Sequence, residues 1–414
     1  MYFWYNKYGD MMEVLIDRLD HQGRGIGKID NKTIFVYDAL PNELVDVEMI
    51  FENKKFMEGK VIEYLKISPN RVESNCPYYK LCGGCDLRHI NYDEELQYKE
   101  EKVRQIIKKF SKIDEKVVKN IVGNDIENYR NKATFHILRK IGYYGKKSKN
   151  IVDIDKCLIV DDKINEILTH IKELNLSNVY EIVVRTSKYL DDSMIVIKGD
   201  NLDENYFIDK LKTITTNIII YQNKIYKTIY GKGYIFDMIG DYKFKISPDS
   251  FFQINTIQAK KLYDKVLEYL EPNNESILDL YCGTGTIGIY VSKYSKKVYG
   301  IEINKYAVED AFINKEINNI DNIDFICLDA SDINIKEKFD KIIVDPPRSG
   351  LDKKTINYLL NSDSKRIVYV SCDPVTLSRD LELLSSKYNI LEITPVDMFS
   401  RTYHVENVCL LERK

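Results

Sequence analysis

Apolar and polar positions alternate through the first part of the chain. Between about residues 11 and 66, the runs MEVLIDRLD, TIFVYDAL, ELVDVEMIF and KVIEYLKI are separated by turns, with Gly23, Gly25 and Gly27 in the first gap and Pro41-Asn42 in another. Several short strands in so few residues predict a small OB-like β-barrel. A cysteine-bearing loop covers 68–90. NYDEELQYKEEKVRQIIKKF, residues 91–110, reads as one helix with acids in its first half and Lys/Arg in its second, which suits the helix dipole. Strand-like runs such as EIVVRTS, SMIVIKG and NIIIYQNKIY fill about 121–245, and after SPDSFFQ the pattern becomes regular β/α alternation. The expected domains are 1–67, a β-barrel; 68–245, a central β-rich α+β domain; and 246–414, a Rossmann-like α/β domain.

Composition narrows the class. A chain of 414 residues exceeds what one core usually organises. The 44% apolar content is ordinary for globular proteins. No apolar run approaches the ~20 residues of a membrane helix, and MYFWYNKYGDMMEV lacks the layout of a secretory signal. A cytoplasmic location without membrane association is therefore expected; a monomer is expected separately, not from these features. The net charge is −3, so any contact with nucleic acid must come from local basic patches. In the segment RKIGYYGKKSK, residues 139–149, basic side chains surround Tyr143 and Tyr144. Such a hairpin could hold phosphates and stack on unpaired bases.

SILDLYCGTGTIGIYVSKY reads as strand, glycine turn and helix start, and Gly283, Gly285 and Gly288 complete G-x-G-x-x-G. Glu302, nineteen residues after Gly283, ends the next strand and could accept hydrogen bonds from ribose hydroxyls. That pattern alone could bind NAD. Asp279, at the end of the first strand, argues against it. A carboxylate would repel a pyrophosphate but attract the ammonium and sulfonium of S-adenosylmethionine. Its alternative role is to cap the turn.

In open α/β sheets, ligands bind beyond the carboxyl ends of the strands. The five expected strand ends carry Asp279 and Tyr281, Glu302, Asp329, Asp345, and Ser371-Cys372. Asp345-Pro346-Pro347-Arg348 departs from the D-P-P-aromatic loop of amino-group methyltransferases at Arg348, while Asp345 can still bond a uracil imide. Cys372 is a candidate nucleophile. Carbon 5 of uracil is too weak to attack a methyl sulfonium until a thiolate adds at C6. A base must then remove the C5 proton. If the last strand, ENVCLLERK, runs antiparallel to the fifth, Glu406 and His404 lie on the same rim; Glu406 is the preferred base. The alternative for Cys372 is a small buried apolar residue.

Cys76, Cys82 and Cys85 give C-x5-C-x2-C, and Cys157 follows after 71 intervening residues. Four such thiols could ligate a [4Fe–4S] cluster or zinc, or remain free.

SPDSFFQIN (247–255), DLYCGTGTIG (279–288), DPPRSGL (345–351), VSCDPVTLSRD (370–380) and HVENVCLL (404–411) together resemble the uracil-C5 RNA methyltransferase family, over nearly the whole chain. The resemblance implies a TRAM barrel at the N-terminus and a Rossmann-like methyltransferase domain on which helix 91–110 packs. It implies a cofactor and substrate pocket that includes Gln253, Tyr281, Glu302 and Asp345, to which Asp279, Gly283 and Asp329 add from the residue reading. It also implies Cys372 as nucleophile, Glu406 as proton acceptor and a [4Fe–4S] cluster on the four cysteines. The expected substrate is 23S rRNA with a uridine flipped from a single-stranded loop. The rivals are tRNA uridine methylation, a non-catalytic RNA-binding or ribosome-assembly protein, and an NAD oxidoreductase.

Overall fold

A computed structural model describes residues 12–333 and 338–414. The first eleven residues, on which part of the N-terminal reading rests, lie outside the described residues. The chain divides into two compact units. Of the described residues, one unit holds 12–79, 85–98 and 401–403; the other holds 80–84, 99–333, 338–400 and 404–414. No helix among the described residues is long and apolar enough to cross a membrane.

The first unit contains a six-stranded sheet: β1 (Met12–Leu15), β2 (Arg18–Leu19), β3 (Gly25–Ile29), β4 (Lys32–Tyr37), β5 (Leu44–Glu52) and β6 (Phe56–Lys66), in the order β1-β5-β6-β4-β3-β2. Alternation sets its interior: Ile34 and Val36 of β4 are fully buried with Val14, Val45 and Val47. Asp30 and Asn31 join β3 to β4 with positive φ angles of 47° and 64°, the backbone that a tight hairpin requires. Gly27 lets the sheet curl on itself. A Cβ there would lie 2.4 Å from Val14 and 2.7 Å from the Leu15 carbonyl, so β3 abuts β1 across the sheet order. This is the expected barrel.

Helix α1 (Tyr92–Ser111) begins with Asp93, Glu94 and Glu95 and ends with Lys108 and Lys109. In the second unit, its Val103 and Ile107 belong to a buried cluster with Leu278, Ile342, Ile367 and Leu381.

The second unit contains two seven-stranded sheets. The first is formed by β7 (Lys132–Ile137), β8 (Ile141–Tyr144), β9 (Ile151–Asp153), β10 (Val179–Thr186), β11 (Ser193–Gly199), β12 (Asn217–Gln222) and β13 (Ile225–Tyr230), in the order β13-β12-β11-β10-β7-β8-β9. Helices α2 (Asp162–Ile171) and α3 (Glu204–Leu211) are capped by Asp161 and Asp203. The hairpin β14 (Ile235–Ile239) and β15 (Tyr242–Ile246) follows. Its Ile235, Ile239 and Phe244 share one core with Val183 and Val196 of the first sheet and Val368 and Val408 of the second.

After α4 (Thr256–Leu270), the second sheet alternates with helices: β16 (Ser276–Leu280), α5 (Thr286–Ser292), β17 (Lys297–Glu302), α6 (Lys305–Ile317), β18 (Ile323–Cys327), β19 (Lys341–Val344), α7 (Lys353–Asn361), β20 (Arg366–Ser371), α8 (Pro374–Leu384), β21 (Tyr388–Val396) and β22 (Glu406–Arg413). The order is β18-β17-β16-β19-β20-β22-β21. Strands β16 to β20 pair in parallel, and β22 pairs antiparallel with β20 and β21. The parallel strands are nearly continuous apolar runs, as strands covered on both faces must be. This is the expected Rossmann-like domain.

A buried ion pair fixes α1 to the segment that precedes β22. Lys99 Nζ lies 2.7 Å from Asp397 Oδ1, and both side chains are fully buried. Ser400 Oγ donates to the other carboxylate oxygen at 2.7 Å. Removing one partner strands a buried charge, which typically costs about 3–5 kcal/mol, whereas an apolar replacement of both costs far less. Asp397→Ala should therefore lower the urea-unfolding free energy by about 3–5 kcal/mol, and a Lys99→Met/Asp397→Leu double variant should recover most of it. Equal losses in the single and double variants would contradict this reading.

Candidate active site

The glycine turn after β16 is built by three local constraints. Gly285 has φ +80°, and a Cβ there would lie 2.6 Å from Phe325. At Gly288, a Cβ would meet an Asp279 carboxylate oxygen at 2.9 Å. Gly283 has open space at its Cβ position, so its turn faces outward without obstruction. The Gly283 N–H donates to Glu302 Oε2 at 3.1 Å, and the Asn304 N–H donates to Glu302 Oε1 at 2.8 Å. Tyr281, with φ 63°, shares a hydrogen bond with Thr355 at 3.2 Å. Asp329 caps the turn after β18 by accepting from the Ser331 N–H. Gln253 lies in the loop before α4, near the Tyr263 hydroxyl, which is itself 2.8 Å from Thr286 at the start of α5.

Asp279 is fully buried, and neither carboxylate oxygen has a hydrogen-bond partner among the described residues. Burial first, then the proximity of Asp345 and Glu302, pushes its carboxyl up to about 8, with the Gly288 amide pulling the other way. Most buried polar groups are bonded, so an orphaned carboxyl asks for an external partner. The ammonium and sulfonium of S-adenosylmethionine fit that demand. Asp279, Gly283 and Glu302 could hold such a cofactor, with Gln253, Tyr281 and Asp329 at the sides.

The register carries the chemical end. Ser371 faces Asn407 across the β20/β22 ladder, so Cys372 leaves β20 opposite Glu406. Asn407 Nδ2 donates to the Ser371 carbonyl at 3.3 Å. Cys372 is partly exposed. Burial, then Glu406 and Asp345, pushes its thiol up to about 12, against the pull of Arg348. Sequence reasoning expected a polar, partly open setting for a thiolate; the setting is partly open but acidic, so the resting thiol keeps its proton. Glu406 is pushed up to about 8 by burial and by Asp345, with Arg348 again opposing. Asp345 keeps some solvent access at the rim, yet is enclosed enough that its carboxyl rises to about 7. His404 is pushed down to about 4 by burial and by nearby cations, Arg348 foremost. It is thus a weaker proton acceptor than Glu406.

Sequence reasoning noted Arg348 only as a departure from the D-P-P-aromatic loop, and it passed over Asp380. Arg348 is the cation whose charge reaches Cys372, Glu406 and His404; its signal was a lone base on an acidic rim. Asp380, fully buried, accepts from the Tyr369 hydroxyl at 2.7 Å and the Leu351 N–H at 2.8 Å, which anchors the DPPRSGL loop.

Two other expectations meet a different arrangement. Tyr143 stacks on Phe135 with its hydroxyl buried beside Cys157, so its ring is used for packing. Tyr144 stays 43% exposed and stacks on His136 at 3.9 Å. Among the described residues, no three His, Cys, Asp or Glu side chains gather as a metal site. Tyr143 neighbours both Cys82 and Cys157.

A parallel sheet, a glycine turn, an acid on the second strand and a polar carboxyl rim define a methyltransferase-type α/β domain. The family model described as tRNA (Uracil-5-)-methyltransferase matches residues 91–414, and the TRAM domain model matches residues 7–62. An uncharacterized RNA methyltransferase of Clostridium acetobutylicum is 39% identical over 97% of this chain and 96% of its own length. Another from Staphylococcus aureus is 38% identical over 96% of each. Among solved structures, the Pyrococcus abyssi tRNA (uracil-54, C5)-methyltransferase in complex with S-adenosyl-L-homocysteine has a TM-score of 0.80 and 31% identity, covering 97% of this chain and 100% of that one. The chain belongs to the tRNA (uracil-5-)-methyltransferase family, whose members are S-adenosylmethionine-dependent RNA methyltransferases.

The raised Asp279 carboxyl makes a pH prediction. A bound cation favours its carboxylate, so binding should release protons and tighten as pH rises toward that group's value. Calorimetric affinity for S-adenosylmethionine should increase from about pH 5.5 to about pH 6.7, below the range in which the cofactor's own amine titrates. Asp279→Asn should bind about tenfold more weakly, as expected for a lost charge-assisted contact, with a shallower pH slope. An unchanged affinity and slope would remove Asp279 from the cofactor site.

Proposed function

We propose that this protein methylates carbon 5 of a uridine in RNA through a transient bond between Cys372 and C6 of the uracil. The observation that supports this most is the register that sets the partly open Cys372 opposite Glu406 at the end of the sheet. S-adenosylmethionine, when bound, supplies the methyl group.

The chain's own residues do the rest. Cys372 Sγ bonds to C6 as its proton passes to a neighbouring carboxylate, and electron density moves toward O4. That turns C5 into a nucleophile for the methyl group. Asp345 holds the imide N–H, which fixes the ring. Glu406 takes the proton from C5; its raised value makes its carboxylate a stronger base than an ordinary one. The electron pair left at C5 re-forms the C5–C6 double bond, the C6–Sγ bond breaks, and the departing sulfur recovers the proton it had passed to the neighbouring carboxylate.

The preferred substrate is 23S rRNA, on the strength of the resemblance and the cysteine pattern. The N-terminal barrel carries less weight, because the tRNA enzyme from Pyrococcus abyssi aligns over 97% of this chain. That likeness favours tRNA as the second reading. A flipped uridine in a loop suits both, since unpaired bases open at least cost. Iron binding by Cys76, Cys82, Cys85 and Cys157 is a separate reading, and no step above depends on it. Iron and acid-labile sulfide in protein purified without oxygen would support it; their absence from active protein would remove it.

Labelled cofactor with 23S rRNA and tRNA transcripts, followed by mapping of the label, should place the methyl group on uridine C5 of 23S rRNA. Label confined to tRNA would make the second reading correct. Cys372→Ala should be inactive. Glu406→Ala should accumulate a denaturation-resistant RNA–protein adduct and turn over about 10²–10⁴-fold more slowly. Normal turnover by Glu406→Ala would pass the base role to His404.

A further inference from the structure

The sheet that contains β7 and β10 carries a pair of cations that form no ion pair among the described residues. Lys132 and Arg185 stand directly opposite each other in the antiparallel register. Like charges in that relation destabilise a sheet. Arg185 is only 5% exposed. Its Nη2 donates to the Ser250 carbonyl at 2.8 Å, but its Nε is buried with no hydrogen-bond partner among the described residues. Lys132 is half-buried and forms no ion pair or side-chain hydrogen bond among the described residues. The third cation nearby, Lys198, is answered by Glu181 at 2.8 Å. Asp249, exposed and bonded to the Tyr226 hydroxyl at 3.3 Å, pulls both cations upward without pairing with either, and Glu181 adds a smaller pull on Lys132.

Burial, then Arg185 and Lys198, pushes the Lys132 ammonium down to about 8, and burial pushes Arg185 down to about 10. Both groups are thus held in a state that an anion would relieve. Their place is informative. Asn131, the neighbour of Lys132, donates its side-chain N–H to the Gln253 carbonyl at 3.1 Å and its backbone N–H to Ile254 at 2.9 Å. The cation pair therefore sits beside the loop that carries Gln253.

We propose that Lys132 and Arg185 form a seat for a backbone phosphate of the substrate RNA, next to the nucleotide held in the pocket. This deepens the proposed function and rests on it. An Arg fork with an unused N–H beside a Lys point charge suits a phosphate's several oxygens. A contact of this kind holds the strand in register without reading its sequence.

The test is equilibrium binding of one single-stranded 23S rRNA fragment across a range of salt concentrations, alongside steady-state kinetics. Lys132→Met should reduce the slope of log affinity against log salt by about 0.7 and weaken binding about fivefold at roughly 0.1 M salt. KM for RNA should rise similarly, with kcat and S-adenosylmethionine affinity retained, and Lys132→Arg should restore the slope. Arg185→Met, read by the same slope, should behave alike. A wild-type slope and KM in Lys132→Met would overturn the proposal. So would loss of cofactor affinity in step with RNA affinity, because that would make the two cations struts of the loop. The binding readout requires no turnover. A wild-type enzyme that leaves uridine C5 unmethylated would count against the reaction, and an unchanged salt slope against the phosphate seat.

Discussion

Carboxyl groups crowded at one edge of a parallel sheet govern this molecule. Asp279, Glu302, Asp345 and Glu406 come from four strand ends or loops, and each raises the proton affinity of at least one neighbour. A fold that served only itself would avoid this. Asp279 in particular is buried without a bond. Burial, with this crowding added to it, gives the site two properties that the proposed chemistry needs: a demand for positive charge where a sulfonium would sit, and a carboxylate basic enough to accept a proton near neutral pH.

It also sets the difficulty. Burial first, and then the neighbouring acids, keep the Cys372 thiol protonated, and Arg348 is the cation that opposes them. In the proposed reaction, sulfur attack and proton transfer to a neighbouring carboxylate are therefore coupled, because a free thiolate would be held off by the charges that prepare the base. The rigid part of the arrangement is the β20/β22 register, reinforced by Asn407 and by Asp380 beneath the DPPRSGL loop.

Much of this was legible in the sequence. Each strand end that carries chemistry was marked by a polar residue closing an apolar run, and the glycine spacing placed the cofactor turn. The antiparallel last strand, which brings Glu406 to Cys372, entered the sequence reading only as a condition, and the β20/β22 register meets it. Helices α2 and α3 were missed because the strand-like runs around them dominated the pattern. Tyr143 was misjudged because neighbours in sequence alternate across a strand: Tyr144 stays near the surface while Tyr143 packs on Phe135. The pairing of Lys132 with Arg185 was out of reach, because it depends on the register of strands far apart in sequence. The carboxyl shifts are likewise collective, arising from burial and from groups that only the fold brings near.

The covalent step can be tested most directly with RNA that carries 5-fluorouridine at the target position. Fluorine at C5 leaves no proton for the base to remove, so a sulfur–C6 bond, once formed and followed by methyl transfer, should persist. Mass spectrometry of the wild-type protein after reaction with this RNA and S-adenosylmethionine should find a methylated nucleotide attached to the peptide that contains Cys372. Recovery of methylated RNA with no attached peptide, or attachment that survives in Cys372→Ala, would contradict the account.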